Sequence, residues 1–169
     1  MKPRSLWAPL LLTLLCACAK KEAAAPSYRE PSGRFACVAP PDWKVLEDGR
    51  GGSSFFGPTE GPRPYNASIV VRWYGSDSEF PSPEAFYAAR RGLAASSSSA
   101  PDGGPPREFT LVRRELPLHG SGEAEEIQER AFLLPAKDGF FALLHTAPRA
   151  VAEETAPVFE ALRADFRPG

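Results

Sequence analysis

The chain has 169 residues, enough for one domain with little to spare. Its 20 basic and 21 acidic residues nearly cancel, so no basic excess marks a nucleic-acid binder and no long run of one sign marks a polyelectrolyte tail. Nineteen prolines and fourteen glycines favour many turns and short strands over long helices.

At the N-terminus, Lys2 and Arg4 precede LWAPLLLTLLCACA, an apolar stretch from Leu6 to Ala19. A helix that crosses a bilayer needs about twenty residues, so this stretch is too short to span and suits the h-region of a secretory signal. No clean A-x-A cleavage site follows Ala19. Leu15-Cys16-Ala17-Cys18 instead resembles the lipobox of bacterial lipoproteins, with Leu three before the cysteine and a small residue just before it. Cys18 meets both conditions, whereas Cys16 follows the bulky Leu15 and has Thr13 in the leucine position.

That resemblance implies that residues 1–17 are a signal peptide and that Cys18 is the lipid attachment site. The Cys18 thiol would carry a diacylglyceryl group and its new amine a third acyl chain such as palmitate. Each buried methylene is worth about 0.8 kcal/mol, so three chains hold the protein to a membrane where one would not. In a Gram-negative host, Ala19 lacks the aspartate that signals inner-membrane retention, which implies the periplasmic leaflet of the outer membrane. Cys16 would leave with the signal, and Cys37 would remain as the one thiol, with no intramolecular disulfide to form.

Residues 18–33, polar and proline-containing, read as the lipidated cysteine and a flexible tether. Fifteen such residues have a root-mean-square span of about 20 Å. Residues 34–169 read as the globular domain. RFACVA is a strand with Phe35 and Cys37 on one side, and PPDW is a turn, since Pro40-Pro41 forbids helix. Trp43 to Leu46, Ser54 to Phe56 and Ala67 to Tyr74 follow as strands, the last rich in β-branched and aromatic residues.

Ser82-Pro83-Glu84 is a helix start, with a capping serine, proline at the first position and an acid at the positive dipole end. Phe86, Ala89 and Leu93 would form its apolar face. Residues 96–106, SSSSAPDGGPP, read as a low-complexity loop. Arg107 to Leu118 and Glu123 to Leu134 read as a hairpin about His119-Gly-Ser-Gly122, with Arg113 and Arg114 able to pair with glutamates across the ladder. Phe140 to Thr146 is nearly all apolar, as a central strand covered on both faces should be. A closing helix begins at Thr155 and Pro157, with Phe159, Leu162 and Phe166 on one face.

These elements give an α+β class: an antiparallel β-sheet with helices packed on its faces. Their order resembles the PsbP-like superfamily. So do the opening strand followed by Pro-x-x-Trp, Phe35 to Trp43, and the ending GFFALLHTAPRAVAEETAPVFEALRADF. The resemblance covers about Arg34 to Phe166 and implies an α–β–α sandwich, frequent lipid anchoring and no common reaction. The chain departs from it at His145, where an aromatic residue is usual, and in the long Ser/Gly/Pro loop.

Chemistry is sparse. Two histidines, His119 and His145, stand without His-x-x-x-His or Cys-x-x-Cys spacing, so no zinc site is expected. Ser121 lies in a hairpin and lacks the Gly-x-Ser-x-Gly spacing of a nucleophile elbow. Glu125 and Glu126 point to opposite faces of a strand and cannot converge on calcium. Cys37 is expected in the core. No catalytic residue, cofactor or metal is therefore expected. The expected function is a non-enzymatic, lipid-anchored envelope protein that binds a protein or envelope component through a sheet edge or loop rim. The alternative is a carrier of a small apolar ligand or lipid between sheet and helices. Trp43, Trp73 and His145 are the candidate residues for a ligand or partner surface. Neither partner nor oligomeric state is fixed by the sequence.

Overall fold

The computed structural model describes residues 27–58, 67–93, 96–98, 107–116 and 123–169. The lipobox with Cys18, and the turn with His119 and Ser121, lie outside the described residues. Ten strands and two helices are described, in the order β1 Ser27–Arg29, β2 Phe35–Val38, β3 Lys44–Glu47, β4 Gly52–Phe56, β5 Ser68–Gly75, α1 Pro83–Arg91, β6 Ser96–Ser98, β7 Glu108–Glu115, β8 Glu125–Ala136, β9 Gly139–Pro148, α2 Arg149–Ala164 and β10 Arg167–Pro168. Seven strands form one antiparallel sheet in the order β3-β4-β5-β9-β8-β7-β6, and β1-β2-β10 form a second. The class is α+β.

The central position of β9 explains its composition. It lies between β5 and β8, and its side chains feed two cores on opposite faces. Phe141 and Leu143 join Phe35, Cys37, Phe55, Ile69, Val71, Phe159 and Leu162 on the α2 face. Phe140, Ala142 and Leu144 join Tyr74, Phe86, Phe109, Leu111, Ala131 and Leu133 on the α1 face. Alternation along a strand sends successive side chains to opposite faces, so a strand buried on both is mostly apolar.

Helix α1 starts as its sequence dictates. Ser82 Oγ accepts from the N–H of Ala85 at 3.3 Å, and Pro83 occupies the first turn. Its apolar face is narrower than the sequence suggests. Phe86 is buried, but Ala89 is exposed and Leu93 lies beyond the helix end, 68 % exposed. Gly92 closes the helix, its N–H bonding the Ala88 carbonyl at 3.1 Å, so one turn around Phe86 makes the contact.

Four further boundaries differ from expectation. Ser27–Arg29, expected within the tether, pairs antiparallel with β2, so the folded part already includes residue 27. Ser96–Ser98, expected as loop, is an edge strand on β7, because backbone pairing needs no particular side chain. Arg167–Pro168 returns to β2. Helix α2 begins at Arg149, six residues before the expected cap. Thr155 is a buried helical residue, and Pro157 sits on the exposed side of α2, where the carbonyl it leaves unpaired can meet water. Phe166 follows the helix end yet packs on Phe35 and Phe141, at centroid distances of 5.4 and 5.2 Å.

Candidate functional site

The candidate surface residues diverge in the structure. His145 faces α2 from the middle of β9 and is 1 % exposed, so it lies at no surface and its assignment there is corrected. Its neighbours across the sheet are Ile69 and Arg130, its ring stacks on Phe159 at 5.6 Å, and its Nε2 lies 2.9 Å from the Thr155 hydroxyl. Burial, with the Arg130 charge beside it, pushes its pKa down to about 4, so the ring is neutral near pH 7. A neutral imidazole enclosed on every side holds a helix to a sheet.

Trp43 is half-buried and packs on the α2-face core and on the small cluster of Ala67, Ala147 and Ala152. Trp73 lies under the Arg34 guanidinium, 4.2 Å from the ring centroid. A Cβ at Gly75 would collide with the same ring, so the tryptophan lies against bare backbone there. Both tryptophans are therefore packing residues with one partly open side. The phenylalanines likewise pack on one another, as in the chain of Tyr74, Phe80, Phe86 and Phe140. Such contacts pack these aromatic side chains against one another on the α1 face.

Among the described residues, two partly buried charged networks tie the helices to the sheet, and a more exposed one joins Arg114, Glu126 and Arg149. On the α1 face, Glu129 is 2 % exposed, and its Oε2 accepts from Arg90 of α1 at 3.1 Å and from Arg113 of β7 at 2.8 Å. Its Oε1 is buried without a hydrogen-bond partner. On the α2 face, Glu108 bonds both Arg130 and Arg163, and Glu160 is 2.6 Å from Arg130. Arg163 also lies over Phe132, 4.6 Å from the centroid. The Arg–Glu ladder expected between β7 and β8 is present as Arg113 with Glu129 and Arg114 with Glu126. Among the described residues no group of three His, Cys, Asp or Glu side chains is placed to hold a metal. Cys37 is buried, and burial with the Asp165 charge pushes its thiol up to about 12, which keeps it protonated and unreactive.

What remains open is an edge. All four residues of β3 are exposed, Val45 at 41 % and Leu46 at 62 %, and β3 ends the seven-stranded sheet. The sequence carried a signal for this: a four-residue strand bounded by Lys44 and Glu47, short and charged as edge strands are. Among the described residues no helix is long and apolar enough to cross a membrane.

No protein-family model matches the chain, and no curated protein does. Solved structures do. A single-residue mutant of the protein Mog1 matches with a TM-score of 0.51 at 12 % identity, over 84 % of this chain and 94 % of that one. The fold resembles that of Mog1. The cyanobacterial PsbP of Synechocystis sp. PCC 6803 aligns at 0.46 and 14 % identity, covering 92 % of this chain and 99 % of that one. A Bacteroides thetaiotaomicron structure aligns at 0.49 and 14 % identity. This chain covers 86 % of its own length in that match and spans about half, 48 %, of the longer protein.

Proposed function

We propose that this chain is a non-enzymatic, lipid-anchored envelope protein whose domain binds a protein along its exposed sheet edge. The observation that carries the reading is β3. It combines an outermost strand with exposed Val45 and Leu46, while buried His145 and Glu129 are committed to holding α2 and α1. An exposed strand edge offers main-chain hydrogen bonds for affinity and alternate side chains for specificity, the mode of strand addition. The anchor is read from Leu15-Cys16-Ala17-Cys18 alone, and in a Gram-negative host it gives the outer membrane's periplasmic leaflet as the address.

Two measurements test the two halves. Mass spectrometry of the native protein is expected to find a triacylated peptide beginning at Cys18, and Cys18→Ser is expected to leave the membrane fraction. An N-terminus elsewhere, with the protein free of membranes, overturns the anchor. Crosslinking in intact envelopes from position 46 is expected to trap a protein reproducibly, and a blank result there overturns edge binding.

A further inference from the structure

Among the described residues, four arginines lie over aromatic rings. Three of them also hold a carboxylate of the chain. Arg90, over Phe86, bonds Glu129 at 3.1 Å, and Arg163, over Phe132, bonds Glu108 at 2.8 Å. Arg130, over Phe159, meets Glu160 at 2.6 Å. In each case the ring orients the guanidinium plane and a carboxylate takes up its N–H fork.

Arg34 has the first half of this arrangement without the second. Its guanidinium is the nearest of the four to its ring, 4.2 Å from the Trp73 centroid. Its stem lies along Gly51, where φ is +85° and an added Cβ would strike Cδ and Nε, so only glycine leaves it room. No described carboxylate bonds its guanidinium. Glu30, the nearest acid in the sequence, gives its Oε2 to the Ser32 hydroxyl and to the Arg34 main-chain N–H instead. Asp48 is engaged by the N–H groups of Arg50 and Gly52 and by Arg72. Arg34 itself is only half-buried, so a group from outside can reach it.

We infer that Arg34 binds a carboxylate supplied by the protein that pairs along β3. The inference rests on the edge reading above and names the chemistry of that partner. Gly52 stands opposite Arg72, so Gly51 and Trp73 form the next rung, at the turn into which β3 runs. A segment paired along β3 that continues past Glu47 arrives at this turn, within one or two strand spacings, roughly 5–10 Å, of Arg34. An aspartate or glutamate there completes Arg34 as Glu129, Glu108 and Glu160 complete the other three. The ring and the glycine already fix the guanidinium, so little rotamer freedom is lost on binding.

The test uses the full chain in its native envelopes. Arg34→Lys keeps the charge and places an amine at this position, and a water-soluble carbodiimide joins amines to carboxylates they touch. The expected product, mapped by mass spectrometry, is an amide between residue 34 and an Asp or Glu of another protein. That protein is expected to be the one captured by a crosslinker at position 46. Arg34→Met removes the fork and keeps an apolar stem on Trp73. It is expected to leave the domain cooperatively folded and to lower capture from position 46 about tenfold or more. Arg114→Met removes an exposed charge from β7 and is expected to leave that capture unchanged. Capture from position 46 with amides from residue 34 only to its own chain, or none, overturns the inference and leaves edge binding standing. So does capture that Arg34→Met leaves intact or that Arg114→Met lowers equally. No capture from position 46 overturns both.

Discussion

His145 Nε2 meets the Thr155 hydroxyl at 2.9 Å across the boundary between the sheet and α2. The same hydroxyl lies 3.1 Å from the Val151 carbonyl, and whether it donates there or to Nε2 follows the tautomer of the neutral ring. Arg130 stands beside this ring in the sheet, held by Glu108 and Glu160, with Arg163 completing the group. A proton added to His145 would create a second cation in that place.

The consequence is a pH dependence with a definite sign. The folded ring titrates near 4 and the unfolded one near 6.5, so the unfolded chain binds more protons between those values. Stability from this group is complete above pH 6.5 and declines as pH falls toward 4, by on the order of 3 kcal/mol in all. Urea unfolding of His145→Gln is expected to show a flatter profile than the parent between pH 6.5 and 4. Parallel profiles would remove His145 from the acid response.

Glu129 ties β8 to α1 and β7 through one oxygen, Oε2, which receives both Arg90 and Arg113. Glu129→Ala leaves Arg90 without its carboxylate and Arg113 with Glu115 alone, and each guanidinium is only about one-quarter exposed. It is expected to cost about 3 kcal/mol, whereas Arg90→Ala leaves the Arg113 bond in place and costs about 1 kcal/mol. Chemical unfolding of both variants measures the difference, and equal losses would show that the two arginines do not share the carboxylate.

Much of this was legible in the chain, for physical reasons. Phe140 to Thr146 reads as a central strand because burial on two faces leaves few polar positions, and β9 is fourth of seven. Ser82-Pro83-Glu84 reads as a helix start because the cap is local chemistry. The start of α2 did not, since Pro157 looks like a first-turn residue and only the tertiary arrangement, with its face to solvent, lets six residues precede Thr155 in the helix. Strands β1, β6 and β10 have two or three residues each, too few for a period to register. At the candidate surface, the sequence showed that Trp43, Trp73 and His145 were available but not which were enclosed. His145 is buried by Phe159 and Thr155, which reach it from another element.

The Glu108, Arg130, Glu160 and Arg163 group bridges β7, β8 and α2 with side chains that are 27 to 42 % exposed. Partial exposure caps what each pair contributes, and salt screens it. A double-mutant cycle between Glu108→Ala and Arg163→Ala is expected to give a coupling of about 0.5–1 kcal/mol that shrinks between low salt and 1 M. A coupling near zero beside a clear loss for Arg163→Ala alone would mean that the loss comes from packing of Arg163 on Phe132.

Gly139 opens β9 directly opposite Gly75 of β5, and a Cβ there would strike the Tyr74 carbonyl oxygen. The obstruction is backbone at the end of a neighbouring strand, so no side chain can turn aside to relieve it. Gly139→Ala is expected to destabilise by about 3 kcal/mol through forced displacement of β5. Gly92 provides the contrast: its backbone is helical at φ −62°, and the nearest atom to an added Cβ is the Ala89 carbonyl oxygen at 3.5 Å. Gly92→Ala is expected to be neutral or to stabilise by up to about 1 kcal/mol by restricting the unfolded chain. Urea midpoints for the two variants should move in opposite directions or leave Gly92→Ala unmoved. A Gly139→Ala variant as stable as the parent would mean that β5 and β9 do not approach each other at this register.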